Sequence, residues 1–495
     1  MKPARLGLIL LFLHTSCDAL WHPFRIPNGQ ACEQAAADFC GPGNFCDRVL
    51  NTCVPDTAPT PSVSSVTPAL GPTSGGITLT LDGSNFVAGT SVSIAGRAAP
   101  QVTVVSPNRI TVSLPASPGS LGLAPIMVSN PDGHSSSRSD LFSYYLTSIN
   151  FGAMASFPSG SSGPYVIDVG DFNSDSQTDI AILHSPGVSL KTLFGNGQIQ
   201  FAPGKSSAVP GGAHGIVVGD FNKDGRADIA VVATSVFVYL GKAGGELDTP
   251  LEMSAGVGPL GLVSGDFDED GRLDLATAAA TSGDVNVLIG SGTGTFAAAV
   301  VYPLSAGSRP TWLHTSDLNR DGHLDLVVAD ATQGAVHVLL GDGRGHFGSS
   351  AMYGTGTDQR GVTSGDFNGD GKPDLAVADG YDNSVSVLIG DGNGGFGASN
   401  RTVIGSRATE FDANVTAIDI DGDRNLDLVY TNVIDRQVVI LPGRGDGTFP
   451  KQVRIPVGKQ PTSVSLYDWN GDGKRDLTVC NYGDDVIGVL INESQ

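Results

Sequence analysis

Between residues 62 and 146, apolar and polar residues alternate along short runs, "ITLTL", "VSIAG", "RITVSL" and "PIMVSN", separated by "GPTSGG" and "NPDG" turns. A period of two residues puts every second side chain on one face, so these runs predict half-buried strands packed as a sandwich. From residue 147 the pattern changes. Apolar runs such as "IAVV" and "DLAVA" become nearly continuous, as in strands covered on both faces by neighbouring sheets. Each follows an acidic loop such as "GDFNKDGRAD", Gly219 to Asp228. The loop is written seven times, opening at Asp171, Asp220, Asp266, Asp317, Asp366, Asp419 and Asp468, about 50 residues apart. Every unit reads as a strand ending in "GDF" or a variant, the acidic loop, an apolar strand, a turn, a stretch like "VSVLIGDGNGGF" and a further strand. Four-stranded units at this period predict the blades of a β-propeller.

The last unit stops at "VIGVLINESQ" without a fourth strand. In complete units Phe347, Phe396 and Phe449 open that strand, and Gly356, Gly405 and Gly458 follow nine residues later. Phe151 and Gly160 in "NFGAMASFPSG" repeat the spacing ahead of the first acidic loop. Residues 149–157 are therefore expected to supply the outer strand of the seventh blade, joining the chain's ends and removing an exposed edge.

Composition supports short strands and tight turns: 67 of 495 residues are Gly, 29 are Pro, and only 16% are charged. Ahead of the sandwich, Lys2 and Arg5 precede the apolar run "LGLILLFL". The run is too short to span a bilayer and reads as a secretory signal over residues 1–19, with a lipoprotein signal at Cys17 as the alternative. No other run reaches the ~20 apolar residues of a membrane helix. Residues 20–55 hold Cys32, Cys40, Cys46 and Cys53, which in an exported chain predict two disulfides of open pairing. Zinc is the rival, but no C-x-x-C pair occurs there. Cys480, in an apolar strand, is expected to be a buried thiol. The chain thus divides into a signal (1–19), a Cys-rich segment (20–55), a sandwich (62–146) and a propeller (147–495).

The net charge of −22 disfavours nucleic acid and anionic membranes, which demand a positive face. The loops concentrate that charge. Oxygens at loop positions 1, 3, 5 and 9 converge if the loop folds back: Asp171, Asn173, Asp175 and Asp179; Asp220, Asn222, Asp224 and Asp228; Asp266, Asp268, Asp270 and Asp274; Asp317, Asn319, Asp321 and Asp325; Asp366, Asn368, Asp370 and Asp374; Asp419, Asp421, Asp423 and Asp427; Asp468, Asn470, Asp472 and Asp476. Glycine at position 6 supplies the left-handed turn, and position 7 can add a carbonyl. An oxygen-only ligand set of flexible geometry, without His or Cys, favours Ca2+. Twenty-three of these positions are aspartates, so seven divalent ions would move the formal charge from −22 to −8. Ser176 and Arg424 replace the glycine in the first and sixth copies. The first copy is therefore expected to bind weakest, and "DFDEDGRLD", with four carboxylates and its glycine, tightest.

Residues 149 to 495 resemble the FG-GAP/VCBS repeats of integrin α-subunit propellers, which implies the same calcium reading. The stretch "SVTPALGPTSGGITLTLDGSNF", with "SLPASPGS" and "VSNPDG", resembles the IPT/TIG family of immunoglobulin-like domains, which implies a spacer or interaction module. The expected fold is all-β: a seven-bladed β-propeller preceded by an immunoglobulin-like β-sandwich and a small disulfide-rich segment.

No H-E-x-x-H, G-x-S-x-G or phosphate-cradling motif appears, so no catalytic residue is assigned. Arg444-Gly445-Asp446 occupies the same glycine turn as its counterparts and reads as a turn. Binding is the stronger hypothesis: a secreted or cell-surface calcium-binding protein that recognises an extracellular carbohydrate or protein. A lyase-like enzyme on a calcium propeller and a purely structural module are the alternatives. With the loops on one rim, the opposite rim carries Tyr381, Asp382, Asn383, Asp435, Arg436, Tyr482 and Asp484, the expected ligand face.

Overall fold

The structure, a computed structural model, describes residues 44–47, 52–55, 59–117, 121–185, 189–405 and 414–494. The expected signal and most of the cysteine segment lie outside these. Within the latter, strands Asn44–Asp47 and Thr52–Pro55 pair antiparallel with Cys46 opposite Cys53; the disulfide pairing itself lies outside the described residues.

The sandwich follows from its two-residue period. One sheet orders strands Ser62–Thr67, Thr78–Ser84, Arg109–Ser113 and Val102–Ser106; the other orders Ser135–Arg138, Ile126–Ser129, Ser91–Ile94 and Arg97–Ala98. Alternate residues, Leu79 and Leu81, Val92 and Ile94, Ile110 and Val112, Ile126 and Val128, meet in one core around Phe142 and Tyr144. A third, three-stranded sheet places Ser143–Tyr145 beside Gly122–Leu123 and, in parallel, Leu70–Pro72.

Among the described residues from 155 onward come seven four-stranded antiparallel sheets. The fifth is representative, with strands Gln359–Gly365, Asp374–Asp379, Ser384–Leu388 and Asn400–Val403 from inside outward. Its second strand is buried at every residue, which is why the apolar runs are continuous. The innermost strands stand side by side around a ring, and Pro461–Tyr467 of the last sheet returns to Pro164–Gly170 of the first, where Thr462 Oγ1 donates to the Tyr165 carbonyl at 2.7 Å. Aromatic residues at loop position 2 bind neighbouring sheets together, as where Phe367 and Phe449 meet edge to face at 5.8 Å. The glycine before the loop sets the spacing: a Cβ on Gly365 would strike Leu426 of the next sheet.

The last sheet is completed from the chain's start. Ala155–Pro158 pairs antiparallel with Val486–Val489, a shorter strand than the expected 149–157. Ahead of it Phe151 forms a bridge with Asn492, the counterpart of the Gly341–Phe347 and Gly390–Phe396 bridges. The phenylalanines therefore sit on a bridge just before the fourth strand, which begins four residues later at Ala351 and Asn400. Cys480 is fully buried, and burial pushes its thiol pKa up. Among the described residues no helix is long and apolar enough to cross a membrane.

Candidate functional site: the acidic loops and the central channel

Each acidic loop joins the first and second strands of its sheet, so all seven lie at the same end of the strands. The fifth loop shows how the sequence winds it. Asp366 at position 1 accepts from the backbone N–H groups of Gly369 (2.7 Å), Asp370 (3.1 Å) and Gly371 (2.8 Å). Asn368 Oδ1 accepts from the Asp370 N–H at 2.9 Å, and Asp370 Oδ1 from that of Lys372 at 3.0 Å. Positions 1, 3 and 5 thus wrap their oxygens around one centre.

Position 6 is left-handed in every copy, including Ser176 (φ 66°) and Arg424 (φ 72°). Position 4 is left-handed too, which the sequence reading missed: Ser174, Lys223, Glu269 and Arg320 take φ between 59° and 65°, and Gly369, Gly422 and Gly471 fill the other three. The glycines in "FNGDG" and "WNGDG" were the available signal. A non-glycine residue in this region costs about 1–2 kcal/mol, so the first loop, with serine at both places, carries the most backbone strain.

The position-9 aspartates have an architectural duty. Asp374 is fully buried; its Oδ2 accepts the Phe367 N–H at 2.9 Å and its Oδ1 the Gly390 N–H at 2.8 Å, tying the acidic loop to the turn between the third and fourth strands. The same two bonds recur at Asp179, Asp228, Asp274, Asp325, Asp427 and Asp476. Burial raises the pKa of Asp179, Asp228 and Asp274 to about 6 against the pull of those N–H groups. Asp374→Ala would leave two buried donors unpaired, at about 1–3 kcal/mol each. Chemical denaturation should show a loss of about 2–6 kcal/mol that excess calcium does not recover.

The charge of the loops is unevenly compensated. At position 7, Arg226 pairs with Asp224 (2.9 Å), Arg272 with Asp270, and Lys372 with Asp370 (3.1 Å). His323 of the fourth loop pairs with Glu269 of the third at 2.5 Å, which raises the histidine's pKa. The sixth loop has Asn425 at position 7, and among the described residues no ion pair reaches Asp419, Asp421, Asp423 or Asp427. Burial, then the charge of Asp423, pushes Asp421 to about 7; burial, then Asp421, pushes Asp427 to about 8. The first and fourth loops likewise have no ion pair to their own aspartates among the described residues. Of the two loops with four carboxylates, the sixth is therefore the one whose charge no ion pair offsets, while the third has Arg272 on Asp270.

Two carboxylate triads, Asp266, Asp268 and Asp274, and Asp419, Asp421 and Asp423, bring their oxygens within 4.8 Å of one another. In the other five loops an asparagine amide oxygen takes position 3. Such hard oxygen donors, gathered on a loop already wound for them, fit a hard divalent cation.

At the opposite rim, several residues named from the sequence hold turns. The Asp382 carboxylate accepts the Thr357 N–H at 3.1 Å and pairs with Arg401 at 3.3 Å. Asp484 accepts the Lys459 N–H at 2.7 Å and pairs with its ammonium at 2.8 Å; Asp435 accepts from the Asn432 side chain at 2.9 Å. Asn383 and Arg436 occupy left-handed turn positions. Tyr381 stays 40% exposed. Asp379 and Asp330, at the far ends of second strands, likewise accept the Gly356 and Arg309 N–H groups at 2.9 and 3.0 Å. Arg444-Gly445-Asp446 is a turn in which the Arg444 N–H donates to the Thr448 carbonyl.

Inside the ring runs a channel of about 520 Å³. His314 shares a 2.9 Å hydrogen bond with Ser364, and burial pulls its pKa down to about 4, so it is neutral at neutral pH. Asp168 accepts the Val218 N–H of the next sheet at 2.9 Å, and burial raises its pKa to about 6. Next to the channel, towards the rim away from the acidic loops, Tyr165, Trp312, Arg360, Asn414 and Ser463 line a small pocket of about 20 Å³. It shares Trp312, Asn414 and Ser463 with the channel wall, and we call it the channel's mouth. Trp312 takes a position five residues before its loop where three other sheets have Gly215, Gly261 and Gly361. That break in the repeat was legible; that it faces the channel was not.

The sequence profile of FG-GAP-like repeats matches residues 171–231, 266–328, 317–377, 366–430 and 419–479, and that of the IPT/TIG domain matches residues 61–144. No curated protein matches the chain significantly. Similar solved structures include a Lactobacillus plantarum protein, 14% identical over 70% of this chain and 98% of that one, with a TM-score of 0.48. An Agrocybe aegerita lectin that recognises non-reducing terminal N-acetylglucosamine is 17% identical over 73% and 94%, with a TM-score of 0.43. An auxiliary nutrient binding protein from Bacteroides ovatus ATCC 8483 is 13% identical over 88% and 98%, with a TM-score of 0.41.

Proposed function

The chain belongs to the FG-GAP-like repeat family, with an IPT/TIG domain ahead of the repeats, and from that premise we propose that it is a secreted or cell-surface calcium-binding recognition protein. In this reading Ca2+ loads the acidic loops and rigidifies one rim. The other rim binds an extracellular carbohydrate or protein and performs no catalysis.

One observation carries the ligand seat: the channel mouth sets the Trp312 and Tyr165 rings beside Arg360, Asn414 and Ser463. Aromatic faces next to amide and hydroxyl groups suit a sugar ring or a peptide side chain. The net charge of −22 further favours a neutral partner over a polyanion.

A glycan array on calcium-loaded protein, followed by mass analysis of the bound sugars, tests this. Intact retained sugars support recognition, cleaved ones point to a lyase, and silence on every sugar leaves a protein ligand or a structural role. Trp312→Ala should weaken binding at least tenfold. Because Trp312 also packs against the apolar cluster around Val336 and Val362, the thermal midpoint should fall as well, so binding is measured well below that midpoint, where the variant is folded. Full-strength binding by this variant would remove the channel mouth from consideration.

A further inference from the structure

We propose that the sixth acidic loop is a metal-dependent joint, in which cation binding and docking of the IPT/TIG domain on the propeller are one coupled event. The inference rests on the calcium reading above and extends it to a single loop. Three contacts place the domain there. The Leu146 N–H, at the end of the sandwich, donates to the Asp421 carbonyl at 2.6 Å. The Arg424 guanidinium donates to Ser143 Oγ at 2.6 Å. Gly422 packs so closely that a Cβ there would strike Leu121 and the Tyr144 carbonyl.

These contacts explain why this copy departs from the repeat. Arg424 accepts a left-handed backbone at the position where five other loops have glycine, because from there its side chain reaches the sandwich. Gly422, two residues earlier, has the left-handed backbone common to that position, and here a Cβ would in addition strike the Leu121 side chain and come within 3.1 Å of the Tyr144 carbonyl. Only four residues, 147–150, separate the loop contact at Leu146 from the Phe151 bridge to Asn492, so the domain is held at two nearby points.

The coupling has a direct route. Asp421 offers its carbonyl to Leu146 and its carboxylate to the centre shared with Asp419 and Asp423. With no cation, those carboxylates and Asp427 repel one another and the loop opens, withdrawing the carbonyl from Leu146. A bound cation holds the loop in its docking shape. By reciprocity, docking must raise the loop's cation affinity by the same factor. The other six loops have no such partner among the described contacts with the sandwich.

Hydrogen exchange on the full chain, titrated with calcium alone, tests this. Adding millimolar calcium to chelated protein is expected to slow exchange at the Leu146 amide by about 5- to 150-fold, the usual range of a coupling between sites. Gly422→Ala should abolish that slowing. Gly471→Ala, at the same left-handed position of the seventh loop but with nothing within 4 Å, should retain it and so controls for backbone strain. If the Leu146 amide ignores calcium while the Asp224 and Gly371 amides respond, the joint is refuted and the calcium reading stands. If Gly422→Ala keeps the full effect, the close packing is not the joint and the inference falls. If no loop amide anywhere responds, the calcium reading fails and takes the inference with it.

Discussion

A chelator is expected to lower the thermal midpoint of the full chain by about 10 °C or more. Extracellular calcium loops bind at about 10⁻⁴ to 10⁻³ M. A site of ~0.1 mM affinity in ~1 mM calcium stabilises the folded state by about 1.4 kcal/mol through mass action. Seven such sites approach about 10 kcal/mol, comparable with the whole net stability of a typical domain. The loops have reason to need the ion, since 23 aspartates crowd one rim and the sixth loop has no ion pair among the described residues to offset them. Restoring calcium should recover the midpoint, and magnesium, which demands stricter octahedral geometry, should recover less. Asp423→Ala in the sixth loop should cost more than Asp175→Ala in the first, where left-handed Ser174 and Ser176 already weaken the site. A melting curve indifferent to chelator would remove the metal reading altogether.

Deleting the chain's start is expected to open the ring. A protein beginning at residue 163 loses the ladder between Ala155–Pro158 and Val486–Val489, the Phe151 bridge to Asn492 and the Phe157–Phe201 ring contact at 5.0 Å. It also uncovers the apolar surface now packed by Ile149, Phe151, Met154 and Phe157. At about 1 kcal/mol for each half-buried apolar side chain, with the lost hydrogen bonds added, the cost is on the order of 5 kcal/mol. The bared strand Val486–Leu490 becomes an unpaired edge open to association. Size exclusion should show aggregation, and melting should begin well below that of a protein beginning at residue 147. Equal behaviour of the two would show that the early strand is not part of the ring.

Much of this was legible in the sequence because repetition makes a local signal cumulative. A single acidic turn says little, but seven in register at about 50-residue spacing mark the sheets, their order and the rim that gathers the carboxylates. Likewise the two-residue alternation of Leu79 and Leu81 or Ile110 and Val112 was enough for the sandwich core. Phe151 and Gly160 betrayed the closing strand because their spacing copies that of Phe347 and Gly356. What stayed hidden depends on partners far apart in the chain. Whether Asp374 faces a cation or the Gly390 N–H is decided 16 residues away, and Asp382 looks like a free ligand until Thr357 and Arg401 are folded against it. Trp312 reads as an ordinary strand residue until seven innermost strands close around one channel. Arg424 reads as a flaw in a glycine position until Ser143, 281 residues earlier, is brought within 2.6 Å of it. Periodicity is written in neighbours, so the sequence carries it. Which polar group meets which is settled only when a closed ring and a docked domain bring distant backbones together.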